Sequence, residues 1–288
     1  MNWRTYQAQQ RVTRLGDRFL SYIDRTDESA GAASQADPVV LLHGIPTWGY
    51  LWKDLIPEVA AQRRTLVPDL LGFGFSDQRD CFDRSIDRQA AAIDRWLDQL
   101  GIESAAIVAH NIGGGVALRL ATLYPERVSQ LCVMNTVCYD SWPIELMLQF
   151  GHPSANRLVS ASKTIGGLAL ALKSGFAKSP DSDFLEALLA PYRTEVGKRS
   201  LVRNAAALNT NQTTEISHLL PSIDVPTLVL WGEDDKFQDI RFGRRLATDI
   251  PNAEFVPLSD ARHFVMVDRP DEVAKRVSEF LSAGVLNR

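Results

Sequence analysis

Short apolar runs bounded by turn residues alternate with segments of helical periodicity along most of this chain. Near-continuous apolar runs are typical of strands that are covered on both faces of a sheet. The runs that predict strands are 38–42, 64–67, 105–109, 128–134, 227–231 and 253–257. The segments that predict helices are 85–100, 113–123 and 270–282. Strands that alternate with helices predict an α/β fold with a mostly parallel sheet flanked by helices.

The first residues follow a different pattern, in which apolar and polar side chains alternate. Two such runs, at 11–15 and 18–25, flank the turn residues Gly16 and Asp17. This pattern predicts a β-hairpin. A polar loop at 28–37, rich in small residues, separates the hairpin from the first buried strand.

A long segment between two predicted strands also interrupts the alternation. Residues 137–222 contain no strand pattern and are rich in Leu and Ala, which favour helices. We therefore expect one core, formed by residues 1–136 and 223–288, with residues 137–222 inserted as a helical cap. Such a cap would cover the carboxyl ends of the strands, where α/β proteins bind ligands.

Composition narrows the class of protein and its partners. The 288 residues are 45% hydrophobic and 23% charged, which is enough apolar material for one large domain or two smaller ones. A net charge of −4 without a basic cluster argues against nucleic acid as a partner. The longest apolar stretch, 165–172, is too short to span a membrane. Cys81, Cys132 and Cys138 follow no metal spacing and indicate reduced thiols in a cytoplasmic protein. We expect a monomer or a homodimer.

The segment 107–118 (IVAHNIGGGVAL) carries the chemistry, because it runs from a strand through a sharp turn into a glycine-rich helix start. A nucleophile elbow needs small neighbours on both sides of its central residue, usually as G-x-nucleophile-x-G. Here Ala109 and Gly113 provide them, and the central residue is the amide Asn111. The glycines do not complete a dinucleotide motif, since Leu118 stands where a small residue is needed. There is no phosphate-binding lysine loop and no metal-ligand cluster in the sequence, so we expect no cofactor and no metal.

Four further motifs follow predicted strands in a fixed order. They are 43–52 (HGIPTWGYLW), 69–77 (DLLGFGFSD), 231–235 (WGEDD) and 261–264 (ARHF). Together with the elbow they resemble the motifs of α/β-hydrolases, especially the haloalkane dehalogenase and epoxide hydrolase branch, over nearly the whole chain. The resemblance implies an α/β-hydrolase fold and a small apolar organic substrate.

The resemblance also implies three site residues in the order nucleophile, acid, base. Asn111 stands at the nucleophile position, where this branch has Asp. Asp235 is the candidate acid, with the adjacent Asp234 as its competitor. His263 is the candidate base that activates a water molecule. A second family location for the acid, after the preceding strand, holds Asn135, which favours the 234–235 loop.

Further residues are assigned to the pocket around this site. The backbone N–H groups of Ile45 and Ile112 are the expected oxyanion-hole donors. Haloalkane dehalogenases hold the halide with side-chain nitrogens near these two positions, so the isoleucines depart from that pattern. Epoxide hydrolases use cap tyrosines to protonate the opening oxygen. The residues that we expect to contact substrate or surround the site are Trp48, His110, Tyr139, Trp142 and Tyr192.

We expect a hydrolase that cleaves an epoxide or a carbon–halogen bond through an ester on an aspartate. Asn111 cannot form that ester productively, so either it replaces a parent Asp and blocks turnover, or it is native to a protein that is not a conventional hydrolase. The otherwise intact set of motifs favours the first interpretation. An esterase or lactonase whose Ser nucleophile is replaced, and a native ligand-binding protein on this scaffold, are the alternatives.

Overall fold

The computed structural model describes residues 1–26, 36–152 and 160–286, and of 284–286 only the backbone. Of the loop predicted at 28–37, residues 28–35 lie outside these ranges. Within them, eight strands form one sheet in the order β1-β2-β4-β3-β5-β6-β7-β8. Their bounds are Arg11–Leu15 (β1), Arg18–Arg25 (β2), Val39–Leu42 (β3), Thr65–Pro68 (β4), Ala105–His110 (β5), Val128–Met134 (β6), Thr227–Gly232 (β7) and Ala253–Leu258 (β8).

The predicted hairpin and the predicted parallel sheet are both present. β1 pairs with β2 and β2 with β4 in antiparallel fashion, whereas all pairs from β4 to β8 are parallel. Every residue of β3 to β7 is buried, as their continuous apolar sequences predict. The fold is therefore the α/β-hydrolase type that the sequence led us to expect.

Helices flank the sheet and connect its parallel strands. Outside the 137–222 segment they are Trp3–Ala8 (α1), Leu55–Ala60 (α2), Ile86–Gln99 (α3), Ile112–Leu123 (α4), Ile240–Asp249 (α10), Val265–Asp268 (α11) and Pro270–Leu286 (α12). Short 3-10 helices lie at Gly49–Trp52 and Pro125–Arg127. Ser85 caps α3 by accepting from the Arg88 N–H, at the start that the sequence predicts. No helix in the described ranges combines the length and the apolarity needed to cross a bilayer.

The described part of segment 137–222, which leaves out residues 153–159, contains helices joined by turns and irregular loops, and no strand. Its helices are Glu145–Gly151 (α5), Ala161–Leu172 (α6), Ser182–Leu189 (α7), Glu195–Ala206 (α8) and Asn211–Thr214 (α9), with 3-10 turns at Lys173–Gly175, Ala190–Tyr192 and Ser217–Ser222. The buried Arg84, just before α3, ties this segment to the sheet. Its guanidinium donates to the Ser200 hydroxyl at 2.6 Å and to the Asn204 side-chain oxygen at 2.9 Å.

Candidate active site

Asn111 occupies a strained turn between β5 and α4. Its φ of 54° and ψ of −122° are unusual for a residue with a Cβ, and such backbone costs about 1–3 kcal/mol. The surrounding structure holds the turn, since the Asn111 carbonyl accepts from the Thr136 hydroxyl and from the Val137 N–H, both at 3.1 Å. The turn therefore has the conformation of a nucleophile elbow, and it presents the side chain of Asn111 at the end of β5.

Glycines directly after the turn allow this close packing. A Cβ on Gly113 would lie 2.5 Å from the backbone oxygens of Leu42 and His43 at the end of β3. A Cβ on Gly114 would overlap the Thr136 hydroxyl. The glycine run in the sequence thus serves the approach of α4 to its neighbours rather than a nucleotide.

His263 contacts the Asn111 amide from the opposite side of the site. Its Nε2 lies 3.2 Å from Asn111 Nδ2, and its Nδ1 lies 2.9 Å from Asp235 Oδ2. The side chain of His263 is 3% exposed and that of Asp235 is fully buried. The three residues expected from the sequence are therefore brought together in one hydrogen-bonded line.

Asp235, rather than Asp234, is the carboxylate in this line. Its Oδ1 accepts from the Phe237 N–H at 2.7 Å, and its Oδ2 accepts from the Asn135 side chain at 2.6 Å. Asp234 is exposed. Asn135 lies at the end of β6, which is the second family location for the acid. In this chain it instead donates a hydrogen bond to Asp235.

The partners of His263 determine its tautomer. The amide nitrogen of Asn111 can only donate, so Nε2 accepts and carries no proton. Nδ1 then carries the proton and donates to Asp235. The Asn111 amide is oriented in turn by the Ile45 N–H, which donates to its Oδ1 at 3.1 Å. In this chain the electron pair of Nε2 is used by the Asn111 amide, and at the same position it could accept a proton from a water molecule if residue 111 were no longer a donor.

His110 and His43 are buried beside the site, and both rings are neutral. His110 Nε2 donates to the His263 carbonyl at 3.0 Å, and burial, reinforced by the neighbouring His263, holds the pKa of His110 well below its usual range. His43 donates from Nδ1 to the Gly44 carbonyl at 2.9 Å and accepts from the Leu70 N–H at 2.9 Å. Burial lowers the pKa of His43 to about 4. Both rings act as fixed hydrogen-bonding spacers rather than as substrate contacts.

Of the two backbone N–H groups expected to form the oxyanion hole, that of Ile45 contacts the Asn111 side chain. Ile45 donates to Asn111 Oδ1, and Ile112 is the first residue of α4, where N–H groups have no partner within the helix. Together these positions can stabilise negative charge that develops on an oxygen bound to the side-chain carbon of residue 111.

A mostly apolar pocket opens onto Asn111 and His263. The empty space in and above it amounts to about 470 Å³, part of which is open solvent. Its floor comes from the strand ends, and its roof comes from the helical segment. The residues that line it are Ile45, Pro46, Asn111, Ile112, Val137, Trp142, Pro143, Ile144, Leu146, Met147, Leu172, Leu208, Phe237, Gln238, His263 and Phe264. Such a lining suits a small apolar molecule.

Of the aromatic residues expected at the pocket, only Trp142 lines it. The structure places the other three elsewhere, because their polar atoms join the helical segment to the core. Trp48 donates to the Ala187 carbonyl at 3.0 Å, and the Tyr192 hydroxyl donates to the Thr47 carbonyl at 3.0 Å.

Tyr139 is also turned away from the pocket, with its hydroxyl donating to Asp249 at 2.6 Å. We therefore assign no substrate contact to Trp48, Tyr139 or Tyr192. His110 likewise does not line the pocket, and it acts through the His263 backbone. In the described part of the chain, no group of three or more His, Cys, Asp or Glu side chains is arranged to hold a metal ion.

Sequence reasoning did not assign three residues to the site, although it noted Asn135 at the second family location of the acid. Asn135 donates to Asp235, Phe237 lies with its ring 5.2 Å from that of His263, and Gln238 lines the pocket. The signal for Phe237 and Gln238 was their position two and three residues after the acid. The signal for Asn135 was its position at the end of β6.

The chain is similar to proteins of known family along most of its length. A profile of the alpha/beta hydrolase fold family matches residues 37–270. A cis-3-alkyl-4-alkyloxetan-2-one decarboxylase of Shewanella oneidensis is 27% identical over 263 residues, which cover 86% of this chain and 83% of that protein. Haloalkane dehalogenase 2 of Mycobacterium bovis is 27% identical over 284 residues, which cover 93% and 94%. An alpha/beta hydrolase fold protein from Burkholderia ambifaria superposes with a TM-score of 0.85 at 25% identity, over 93% and 96% of the two chains.

Proposed function

This chain belongs to the alpha/beta hydrolase fold family, and we propose that its site is that of a hydrolase acting through an ester on residue 111, with Asn111 in place of the nucleophilic aspartate. The observation that carries the proposal is the arrangement of the Asn111 side chain. One of its amide atoms meets the Ile45 N–H at 3.1 Å, and the other meets His263 Nε2 at 3.2 Å. An aspartate in the same position would have one oxygen in the oxyanion hole and the other near the base.

With aspartate at 111, the reaction has two steps. The carboxylate attacks an electrophilic carbon, and the carbon–oxygen or carbon–halogen bond breaks with its electron pair going to the leaving atom. His263 then takes a proton from water, and the hydroxide adds to the ester carbonyl. The negative charge that develops on the carbonyl oxygen meets the Ile45 and Ile112 N–H groups. Collapse of this adduct restores the carboxylate and expels an alkoxide, which takes up one proton of the water and leaves as the alcohol. The other proton returns from His263 to solvent with the halide, or to the opened oxygen of an epoxide, whose product is then a diol.

An amide cannot complete the first step. Its oxygen carries no full negative charge, and its attack on carbon would leave a cation against the buried His263. Two observations support an otherwise complete site, since Asp235 contacts His263 and the Ile45 N–H donates to the side chain of residue 111. We therefore propose that the protein with Asn111 binds its ligand and turns it over little.

The substrate that we propose is small, mostly apolar and carries an epoxide or a carbon–halogen bond. The apolar lining of the pocket supports this class. The names of the two curated relatives support it as well, since one is a haloalkane dehalogenase and the other acts on an oxetanone, a strained cyclic ester. Ile45 and Ile112 offer no side-chain donor to a halide, unlike the nitrogen-bearing side chains that haloalkane dehalogenases have near these positions.

The test compares the unmodified protein with Asn111→Asp and Asn111→Ser. All three are assayed for alcohol, diol, halide or acid release from a panel of epoxides, haloalkanes, carboxylic esters and a 3,4-dialkyl oxetan-2-one. Mass spectrometry of the peptide that contains residue 111 verifies its identity in each sample. We expect turnover in Asn111→Asp alone, with the product identifying the leaving group.

Each other outcome has a distinct meaning. Turnover of esters by Asn111→Ser alone supports an esterase or lactonase parent. Turnover by the unmodified protein contradicts the proposed loss of function. Tight binding without turnover in all three proteins supports a native ligand-binding protein.

A further inference from the structure

Gln238 is a buried polar residue in the wall of the apolar pocket. It lies in the loop between β7 and α10, is 2% exposed and lines the pocket next to Phe237. Its side-chain oxygen, Oε1, is buried and has no hydrogen-bond partner among the described residues. Buried amides without a partner are rare in folded proteins, because each loses its hydrogen bonds to water on folding.

The backbone around Gln238 is held in place. The Gln238 carbonyl accepts from the indole N–H of Trp231 at 2.9 Å. The preceding Phe237 N–H donates to Asp235, and the following Asp239 caps α10. The backbone position from which the Gln238 side chain extends is therefore fixed by this loop.

The other polar side chains of the pocket are already engaged with the protein. Asn111 interacts with Ile45 and His263, and His263 with Asp235. The Trp142 indole N–H donates to the Thr213 hydroxyl at 2.7 Å. Among the buried side-chain polar atoms of the described residues that line the pocket, Gln238 Oε1 is thus the one without a hydrogen-bond partner.

We propose that Gln238 is a specificity residue that hydrogen-bonds an oxygen-bearing group of the substrate. The inference rests on the proposed function only in taking the pocket as the substrate site. A primary amide can donate to a carbonyl or ring oxygen and can accept from a hydroxyl, and rotation about its last bond exchanges the two. An apolar molecule with one such oxygen satisfies the amide, whereas a simple haloalkane leaves it unpaired. The pocket is thereby selective for oxygenated substrates over haloalkanes of the same size.

The test measures binding by calorimetry with three probes of similar shape, namely cyclohexanol, cyclohexanone and chlorocyclohexane. The proteins are the unmodified chain, Gln238→Met, and Leu172→Met as the control. Leu172→Met also places a thioether in the pocket wall but removes no polar group. We expect Gln238→Met to raise the dissociation constant of the alcohol or of the ketone about fivefold to tenfold, because one hydrogen bond is lost. The dissociation constant of chlorocyclohexane should change by less than about twofold.

Gln238→Glu separates the two directions of the bond. Binding is measured at alkaline pH, where the introduced carboxyl is ionised and has acceptors but no donor. The variant should then retain binding of cyclohexanol if Gln238 accepts, and lose binding of cyclohexanone if Gln238 donates. An equal change for all three probes in Gln238→Met, or the same pattern in Leu172→Met, overturns the proposal.

A measurement on the unmodified protein covers the case in which the variants do not fold. The side-chain N–H₂ resonances of Gln238 should shift on addition of an oxygenated probe and not on addition of chlorocyclohexane, and equal shifts overturn the proposal. Because these readouts are binding and not turnover, failure of the proposed chemistry at residue 111 leaves them unchanged.

Discussion

Asn135→Asp tests how the acid of the site is held. Asn135 and the Asp235 side chain are both fully buried, and Asn135 Nδ2 donates to Asp235 Oδ2 at 2.6 Å. The substitution is nearly isosteric, and it replaces the donor by a second carboxyl group at that distance. Two carboxylates so close cannot both be ionised, so the pair, or the neighbouring His263, takes up one extra proton.

The magnitude follows from this proton. A like charge at this distance raises the pKa of one buried carboxyl by roughly 3 units, which corresponds to about 4 kcal/mol at pH 7. A carboxyl whose folded pKa is raised destabilises the protein as the pH rises through the interval between its unfolded and folded values. The loss of stability, relative to the unmodified protein, should therefore be small near pH 4 and largest at pH 7. At low pH the introduced carboxyl is protonated, and it donates to Asp235 as the amide did.

The assay is urea unfolding followed by tryptophan fluorescence at pH 4.5, 6 and 7, with the difference from the unmodified protein taken at each pH. Asn209→Asp is the matched control. Asn209 is exposed, and its side-chain oxygen accepts from the Asn211 N–H at 3.0 Å, which an aspartate can also do. If Asn135→Asp differs from the unmodified protein by less than about 0.5 kcal/mol at pH 7, like Asn209→Asp, then the buried contact with Asp235 is refuted.

Two further predictions concern stability. Gly113→Ala should lower the free energy of unfolding by about 3 kcal/mol, because its Cβ would lie 2.5 Å from two backbone oxygens. Gly167→Ala, in α6, is the control, because nothing lies within 4 Å of its added Cβ and the change should be neutral or stabilising. Both variants are measured by thermal unfolding, and an equal fall in the two unfolding temperatures would contradict the argument. The buried His43, with a pKa of about 4, should make stability fall as the pH drops from 6.5 to 4, since the unfolded chain takes up the proton first. The loss attributable to His43 is about 3 kcal/mol, so His43→Gln should show a flatter urea stability profile over this interval, and an unchanged slope would contradict it.

The strand pattern predicted the sheet well because burial on both faces leaves a direct trace in the sequence. The runs at 105–109 and 128–134 appear as strands Ala105–His110 and Val128–Met134. The starts of helices were predicted equally well where a capping residue or a glycine run precedes the helix. The elbow was found because its turn requires small neighbours, which the sequence records at Ala109 and Gly113.

The aromatic residues could not be assigned from the sequence. Trp48, Tyr139 and Tyr192 have an apolar ring and one polar atom, which suits a pocket wall and a buried packing site equally. Their hydrogen bonds to residues 187, 249 and 47 depend on how the helical segment docks, and residues so far apart in sequence leave no local pattern. Gln238 was missed for a related reason, because a glutamine in a loop gives no indication of burial.

The helical segment emerges between two strands that are hydrogen-bonded neighbours, with Met134 of β6 opposite Leu230 of β7. The chain therefore leaves the sheet and returns to it at adjacent points. Closing a loop costs entropy that grows only logarithmically with length, and doubling the loop adds only about 0.6 kcal/mol. A change in the length of this segment thus adds little loop-closure entropy, as long as the hydrogen bonds of Trp48, Arg84 and Tyr192 that join it to the core are kept. The fold can change the shape of its binding pocket by exchanging one contiguous piece of chain.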